Sequence, residues 1–338
     1  MVIIPIPLLL IYLTARVAVV DAAPVKCAGN FPDFVLKFAP LSYLYSKEDY
    51  WPSDVATHLL KVIPEINFAA VGGPPTLQTL PNYDHNVYLT AVEDALAHKS
   101  PFFTSVVGKP VNGTSVAPAT IIVVEKPGGI TDAFYFYFYS FNFGNAVLGL
   151  RFGNHVGDWE HTMVRFINGV PDVVYYSEHA SGSAFKYSAV EKIGVRPVSY
   201  TATGTHANYA TSGNHNYEHI PFDILKDQTD KGPLWDVTKN FRGFWYTPSS
   251  GALALAPGAG IGGALEISEG PGWLNFGGYW GDKKWPVNKF GQFCVGSECH
   301  MEDGPLGPLF KNLGRTAPCQ DETKCTVQTK LLISASDG

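Results

Sequence analysis

Charge is what this 338-residue sequence has least of. Asp, Glu, Lys and Arg together make up 16% of it, against about a quarter in an ordinary soluble domain. The formal balance is −6, and no run of Lys or Arg is interleaved with aromatic residues, so a basic footprint is missing and nucleic acid is excluded as a partner. Beyond the first two dozen residues there is no apolar run of membrane-spanning length. Signatures of familiar chemistry are missing too. There is no G-x-S-x-G elbow for a serine nucleophile and no H-E-x-x-H helix for zinc. The glycines of "GAGIGGAL" fall at 258, 260, 262 and 263, which breaks the G-x-G-x-x-G spacing of a dinucleotide loop.

What is present favours strands. Aromatic residues reach 13%, with 17 Tyr and 21 Phe, and such residues suit pleated, half-buried surfaces. "TIIVVEK" (120–126) and "DAFYFYFYSFNFG" (132–144) flank a Pro-Gly-Gly turn. In the second, period two sets Phe134, Phe136 and Phe138 on one face and Tyr135, Tyr137 and Tyr139 on the other. The expectation is Phe toward a core and Tyr toward a wetter surface, where a tyrosine-lined groove with Trp159 nearby would bind carbohydrate or another small molecule. "EHTMVRFING" and "VVYYSEHASG" read as a hairpin turned at Asn168-Gly169. Helices are few. Ser53 or Asp54 caps a short one that begins at Val55, and Thr90 and Glu93 have capping-box spacing for a second. The resulting fold class is mainly β, with sandwich-like antiparallel sheets, two short N-terminal helices and a disulfide-stapled C-terminal tail.

The ends carry compartment signals. An apolar run from Val2 to Leu13, followed by Ala22 and Ala23, reads as a signal peptide over 1–23. Left uncleaved, it would be an anchor and the sole route to a membrane. A single β-rich domain is then expected over 24–290 and a cysteine-containing tail over 291–338. In an oxidising compartment Cys294, Cys299, Cys319 and Cys325 would form two bridges, or Cys27 would take one of them as its partner. Asn112-Gly113-Thr114 is an N-glycosylation acceptor.

Titratable residues cluster in the middle of the chain. Six of the ten histidines lie between 155 and 219, alongside several carboxylates, and clustered groups of this kind on loops mark candidate sites. In "NHVGDWEHT" (154–162), an extended chain puts Asp158 and Glu160 on one face and Trp159 and His161 on the other. Acid–base hydrolysis would draw on Asp158, Glu160, His161 and His179. A divalent metal, the one cofactor class these residue types suggest, would draw on His155, Glu178, His206 and His215 across loops. "DILKDQTDKGPLWD" places Asp223, Asp227, Asp230 and Asp236 about a Gly-Pro turn, but without the alternating ligands of an EF-hand. It reads as a capped surface turn.

Several stretches, in order, resemble one family. "FAPLSYLYSKEDYWPSDV", "DAFYFYFYSFNFG", "FGNHVGDWEHTMVRFINGVP", "YSEHASGSAF", "RPVSYTATGTHANYA" and "DQTDKGPLWD" look like the vacuolar protein sorting-associated protein 62 family, found largely in fungi. The resemblance implies a part in vacuolar sorting, or a secreted or surface binding role, within the secretory pathway. It carries over no catalytic residues. A lumenal hydrolase or lyase using the 155–219 cluster, including a fungal biosynthetic enzyme, is the alternative.

Overall fold

A computed structural model describes residues 31–220, 223–259 and 270–331; Cys27, the signal-peptide segment and most of "GAGIGGAL" lie outside them. Eight strands build the main sheet: β1 (Ala119–Lys126), β2 (Ile130–Asn142), β3 (His155–Ile167), β4 (Val170–Glu178), β5 (Ser181–Lys186), β6 (Phe241–Thr247), β7 (Ala252–Ala259) and β8 (Val327–Gln328). Their spatial order is β7-β6-β1-β2-β3-β4-β5-β8. All neighbours run antiparallel except β1 with β6 and β5 with β8, which are parallel. The architecture is mainly β and sandwich-like, as the aromatic alternation predicts.

Local chemistry explains the hairpins. Asn168 and Gly169 both take positive φ, 50° and 79°, the requirement of the tight turn that follows strand twist. β2 and β3 then pair over most of their length, with Tyr139 opposite Asp158, Tyr137 opposite Glu160 and Phe136 opposite His161. Gly157, at φ 66°, lies inside β3. A Cβ there would come within 2.1 Å of the Trp280 carbonyl oxygen, so only glycine lets the segment around Trp280 close over the strand.

Both faces of the sheet are buried, and this corrects the expected wet tyrosine surface. The Phe face packs Phe134, Phe136, Phe138 and Trp159 against Trp273, Trp280, Met301 and Leu313. Part of that cover comes from residues 273–285 and part from the cysteine-containing segment after residue 290. The Tyr face packs Tyr135, Tyr137 and Tyr139 against Trp51, Trp235 and Val237. A second sheet supplies part of that cover, with strands Arg196–Thr201, Leu41–Tyr43 and Leu234–Asp236 side by side in that order. Each tyrosine is at most 1% exposed, so the alternation separates two cores rather than a core from solvent.

Of the two expected helices, the first forms. Val55–Leu59 is capped by Asp54, whose carboxylate accepts from the Thr57 N–H. The second does not form as the capping-box spacing suggests. Thr90 is drawn into a strand, Tyr88–Ala91, opposite Ile63, and Asp94 caps only one 3-10 turn, Ala95–Ala97. Disulfides Cys294–Cys299 and Cys319–Cys325 staple the C-terminal region.

Candidate functional site

The polar residues of β3 and β4 gather at the end of the Tyr face, where the hairpin Gly213–Ile220/Asp223–Thr229 folds against the sheet. Its centre is Asp227, fully buried. Along Asp223–Thr229 the inward positions are Leu225, Asp227 and Thr229, so period two carries one carboxylate inward between an apolar residue and a hydroxyl. Four side chains donate to it: Asn145 Nδ2 at 2.8 Å, His179 Nε2 at 2.8 Å, Thr205 Oγ1 at 2.7 Å and Tyr209 OH at 2.8 Å. Burial opposes the charge of both partners, but their mutual attraction prevails. His179 is raised to about 8 and Asp227 is held below the usual carboxylate range.

The pair singled out in "NHVGDWEHT" lies behind this anchor. Asp158 and Glu160 share the Tyr face of β3 and are 5% and 3% exposed. The Asp158 carboxylate faces His206 Nδ1 at 2.9 Å, and the His206 ring lies flat on Tyr139 with centroids 3.6 Å apart. The other nitrogen of His206 faces the Tyr50 carbonyl at 3.2 Å. Glu160 accepts from the Ser177 hydroxyl. Burial, reinforced by Asp158, pushes its carboxyl up to about 8. Glu178, on the same side, is pushed up to about 7, again by burial. A further carboxylate, Glu48, sits against the backbone N–H groups of Asp49, Tyr50 and Gly204, and burial raises its pKa as well.

The remaining predicted residues separate. His161 points to the opposite, Phe face. It is fully buried, and its Nε2 accepts from Arg315 at 3.1 Å; burial and that cation hold it well below the ordinary histidine value. It cannot share a catalytic centre with Asp158 and Glu160 across the sheet. Trp159 is also on the Phe face, among Phe136, Phe138, Trp273 and Trp280, so neither it nor Tyr135, Tyr137 or Tyr139 lines an open groove. Two of these tyrosine hydroxyls are tied inside the core, Tyr135 to the Val35 carbonyl and Tyr137 to Thr162.

His155, Glu178, His206 and His215 do not converge either. Among the described residues no three His, Cys, Asp or Glu side chains gather closely enough to hold a metal. Each has a local commitment instead. His155 Nδ1 donates to the Gly157 carbonyl at 2.7 Å. His215 stacks on Tyr209 at 3.8 Å and faces the Thr211 carbonyl. The aspartates of "DILKDQTDKGPLWD" disperse similarly. Asp230 accepts from the Ser46 N–H and Asp236 binds Arg196 and Thr238, leaving Asp227 alone in the site. Asn112 is exposed on the turn Val111–Thr114.

Two open clefts border the hairpin. One, of ≈ 540 Å³, runs between it and the β4–β5–β8 edge, walled by Glu178, Tyr209, Asn214, His215, Asn216 and Gln328. The other, of ≈ 460 Å³, lies toward Phe143, Arg151 and Thr203. Lys226 borders both. Asn145, Thr205, Tyr209 and Glu48 carry no spacing signal in the sequence. Asp227 carries one, the Leu-x-Asp-x-Thr alternation that sends it inward.

Comparison with known proteins identifies the family. A sequence model of the family described as vacuolar protein sorting-associated protein 62 matches residues 118–242, from the start of the main sheet through the hairpin. Over 344 residues the chain is 37% identical to the putative vacuolar protein sorting-associated protein TDA6 of Saccharomyces cerevisiae, covering 88% of this chain and 70% of that protein. Over 345 residues it is 36% identical to vacuolar protein sorting-associated protein 62 of the same yeast, covering 89% and 70%. Among solved structures, necrosis and ethylene inducing protein 2 from the agent of cocoa's witches' broom disease aligns at 15% identity and TM-score 0.29, over 55% of this chain and 72% of that one. NLPPya in complex with mannosamine aligns at 11% and 0.28, over 63% and 71%. These scores are too low to bear on fold or function. The yeast relatives are decisive, and the chain belongs to the vacuolar protein sorting-associated protein 62 family.

Proposed function

We propose that this chain is a non-catalytic binding protein of the secretory pathway with a vacuole-related role, and that it takes a neutral polyol or carbohydrate in the ≈ 540 Å³ cleft. One observation carries the reading. The carboxylate pair that a glycoside hydrolase would present to solvent is buried and tied to His206 and Ser177, whereas the open cleft beside it is lined with amides, hydroxyls and a stacked Tyr209–His215 pair. Carbohydrate sites combine such hydrogen-bonding groups with flat ring faces. The names of the yeast relatives support the vacuolar association. The two disulfides and the exposed acceptor Asn112 support an oxidising compartment.

One arrangement favours a second reading. His179, oriented by the buried Asp227, is the chain neighbour of Glu178, which lines the cleft, and a carboxylate-oriented imidazole is a general base in acid–base catalysis. A lumenal hydrolase would use this dyad. Titrating the full chain with a panel of oligosaccharides, while analysing the mixture for products, separates the two. Saturable binding without product, weakened by Asn214→Ala with Asn216→Ala, supports the binding protein. Turnover abolished by His179→Ala supports the hydrolase.

A further inference from the structure

The ≈ 460 Å³ cleft on the other side of the hairpin has a different chemistry. Among the described residues, carboxylates hold Lys126 and Arg165 (Asp132), Lys186 (Asp172), Arg196 (Asp236), Arg242 (Asp54), Lys231 (Glu191) and Lys284 (Glu302). Among the described residues, the two cations lining this cleft, Arg151 and Lys226, have no carboxylate at ion-pair distance. Arg151 is half-buried. Its guanidinium lies 3.6 Å from the centre of the Phe143 ring and has one hydrogen-bond acceptor among the described residues, the Gly144 carbonyl. Stacking of this kind fixes the plane of the group and leaves donors for a ligand. Lys226 is exposed on the hairpin. The Thr203 hydroxyl and Gln228 amide also line the cleft.

One carboxylate borders the cleft, Asp223, and its Oδ1 accepts from the Ile224 N–H. The lining therefore carries a net positive charge in a chain of net −6. Beside it stands an apolar wall of Val147, Leu148 and Ile224, with Leu148 79% exposed at the tip of a short hairpin.

We propose that this cleft binds a small phosphate monoester, its phosphoryl oxygens on Arg151 and Lys226 and its organic part on the Val147–Leu148–Ile224 wall. A planar guanidinium together with a mobile ammonium and neutral donors matches a tetrahedral dianion with several lone pairs better than it matches a lone carboxylate. The cleft has the volume usual for small-molecule sites. The site does not depend on the polyol reading, because Arg151 borders this cleft alone and His215 and Glu178 border only the other.

The test is calorimetric titration of the full chain with phenyl phosphate, and separately with inorganic phosphate. Saturable binding of phenyl phosphate is expected. It should be about tenfold weaker in Lys226→Gln, the loss of one charge-assisted contact, weaker still in Arg151→Gln, and diminished by raised salt. His215→Ala should leave it unchanged, which keeps the result distinct from oligosaccharide binding. Lys226 is an exposed residue whose replacement does not threaten folding, so the test holds even if Arg151→Gln is unstable. No saturation with phenyl phosphate, or equal affinity in wild type and Lys226→Gln, overturns the site. Equal binding of inorganic phosphate and phenyl phosphate overturns the ester assignment.

Discussion

The same pair of strands buries charge on both faces, in opposite ways. At the Phe-face end of β2 and β3, Asp132 is clasped by Arg165, with Nε and a terminal nitrogen each 2.7 Å from a carboxylate oxygen, and by Lys126. Arg165 and Lys126 also donate to the carbonyls of Arg315 and Thr316, so this cluster fastens the C-terminal segment to the sheet. Arg315 lies between the rings of Phe134 and Tyr175, 4.8 Å from each. At the Tyr-face end the excess is of carboxylates: Asp158, Glu160, Glu178, Asp227 and Glu48, with His179 as the counter-charge of Asp227 and His206 hydrogen-bonded to Asp158. Permanent cations around one acid make a staple that ignores pH over the physiological range. Carboxylates balanced by histidines make a region whose charge follows it.

The largest effect should come from breaking the staple. Arg165→Met leaves Asp132 buried with Lys126 alone and should cost about 3–5 kcal/mol, read as a lower urea midpoint with an unchanged slope. A loss below about 1 kcal/mol would mean that the carbonyl contacts, not the ion pair, hold the segment. Next, Asp227→Asn keeps the shape of the anchor but removes its charge. It should cost roughly 2–3 kcal/mol, the scale of hydrogen bonds to a charged acceptor. The imidazole of His179, followed by NMR, should then titrate below about 8.

That anchor also marks the boundary of what the sequence discloses. The Asn168-Gly169 hairpin, the paired face of Asp158 and Glu160, the Asp54 cap and the cysteines of the tail were all legible, because each depends on neighbours in the chain. The burial of Tyr135, Tyr137 and Tyr139 was not. Period two distinguishes two faces but does not say that strands from positions 41 and 234 return to cover one of them. The split of His161 from Asp158 and Glu160 followed from the alternation, yet Arg315 as its partner comes from 154 residues away. Histidine density marks the stretch in which these buried carboxylates and imidazoles gather. The residue that organises it, Asp227, is identifiable from sequence only once its strand is recognised as having an inward side.

The contrast with pH should be of moderate size. Glu160 and Glu178 have raised folded values, about 8 and about 7, so their contribution is complete below the ordinary glutamate range and is lost as pH rises through 7 and 8. His179, raised to about 8, contributes fully below about 6.5 and loses that contribution over the same upper window. Asp227, depressed, works in the other direction, and its contribution disappears only as pH falls well below 4. Stability should therefore decline from pH 5.5 to pH 8.5, and Glu160→Gln should flatten that decline while Arg165→Met leaves its slope unaltered. A decline equally steep in Glu160→Gln would locate the titrating group elsewhere.

The smallest effect belongs to the bridges. Cys319–Cys325 and Cys294–Cys299 close short loops, with sequence separations of 6 and 5, and replacing either pair by serine should cost about 2 kcal/mol on loop-closure grounds. The Cys319–Cys325 pair should cost the more, because Cys319 packs in the core under the Phe face whereas Cys294 is exposed.

The central claim is that the carboxylate-rich end of the sheet is an anchor for a binding cleft rather than a set of working acids and bases. Its most direct test is oligosaccharide binding by wild type and Glu160→Gln, compared at pH 5.5 with the mixture analysed for cleavage. The account predicts matching saturable affinities and no product from either protein. Cleavage by the wild type that disappears in Glu160→Gln would contradict it.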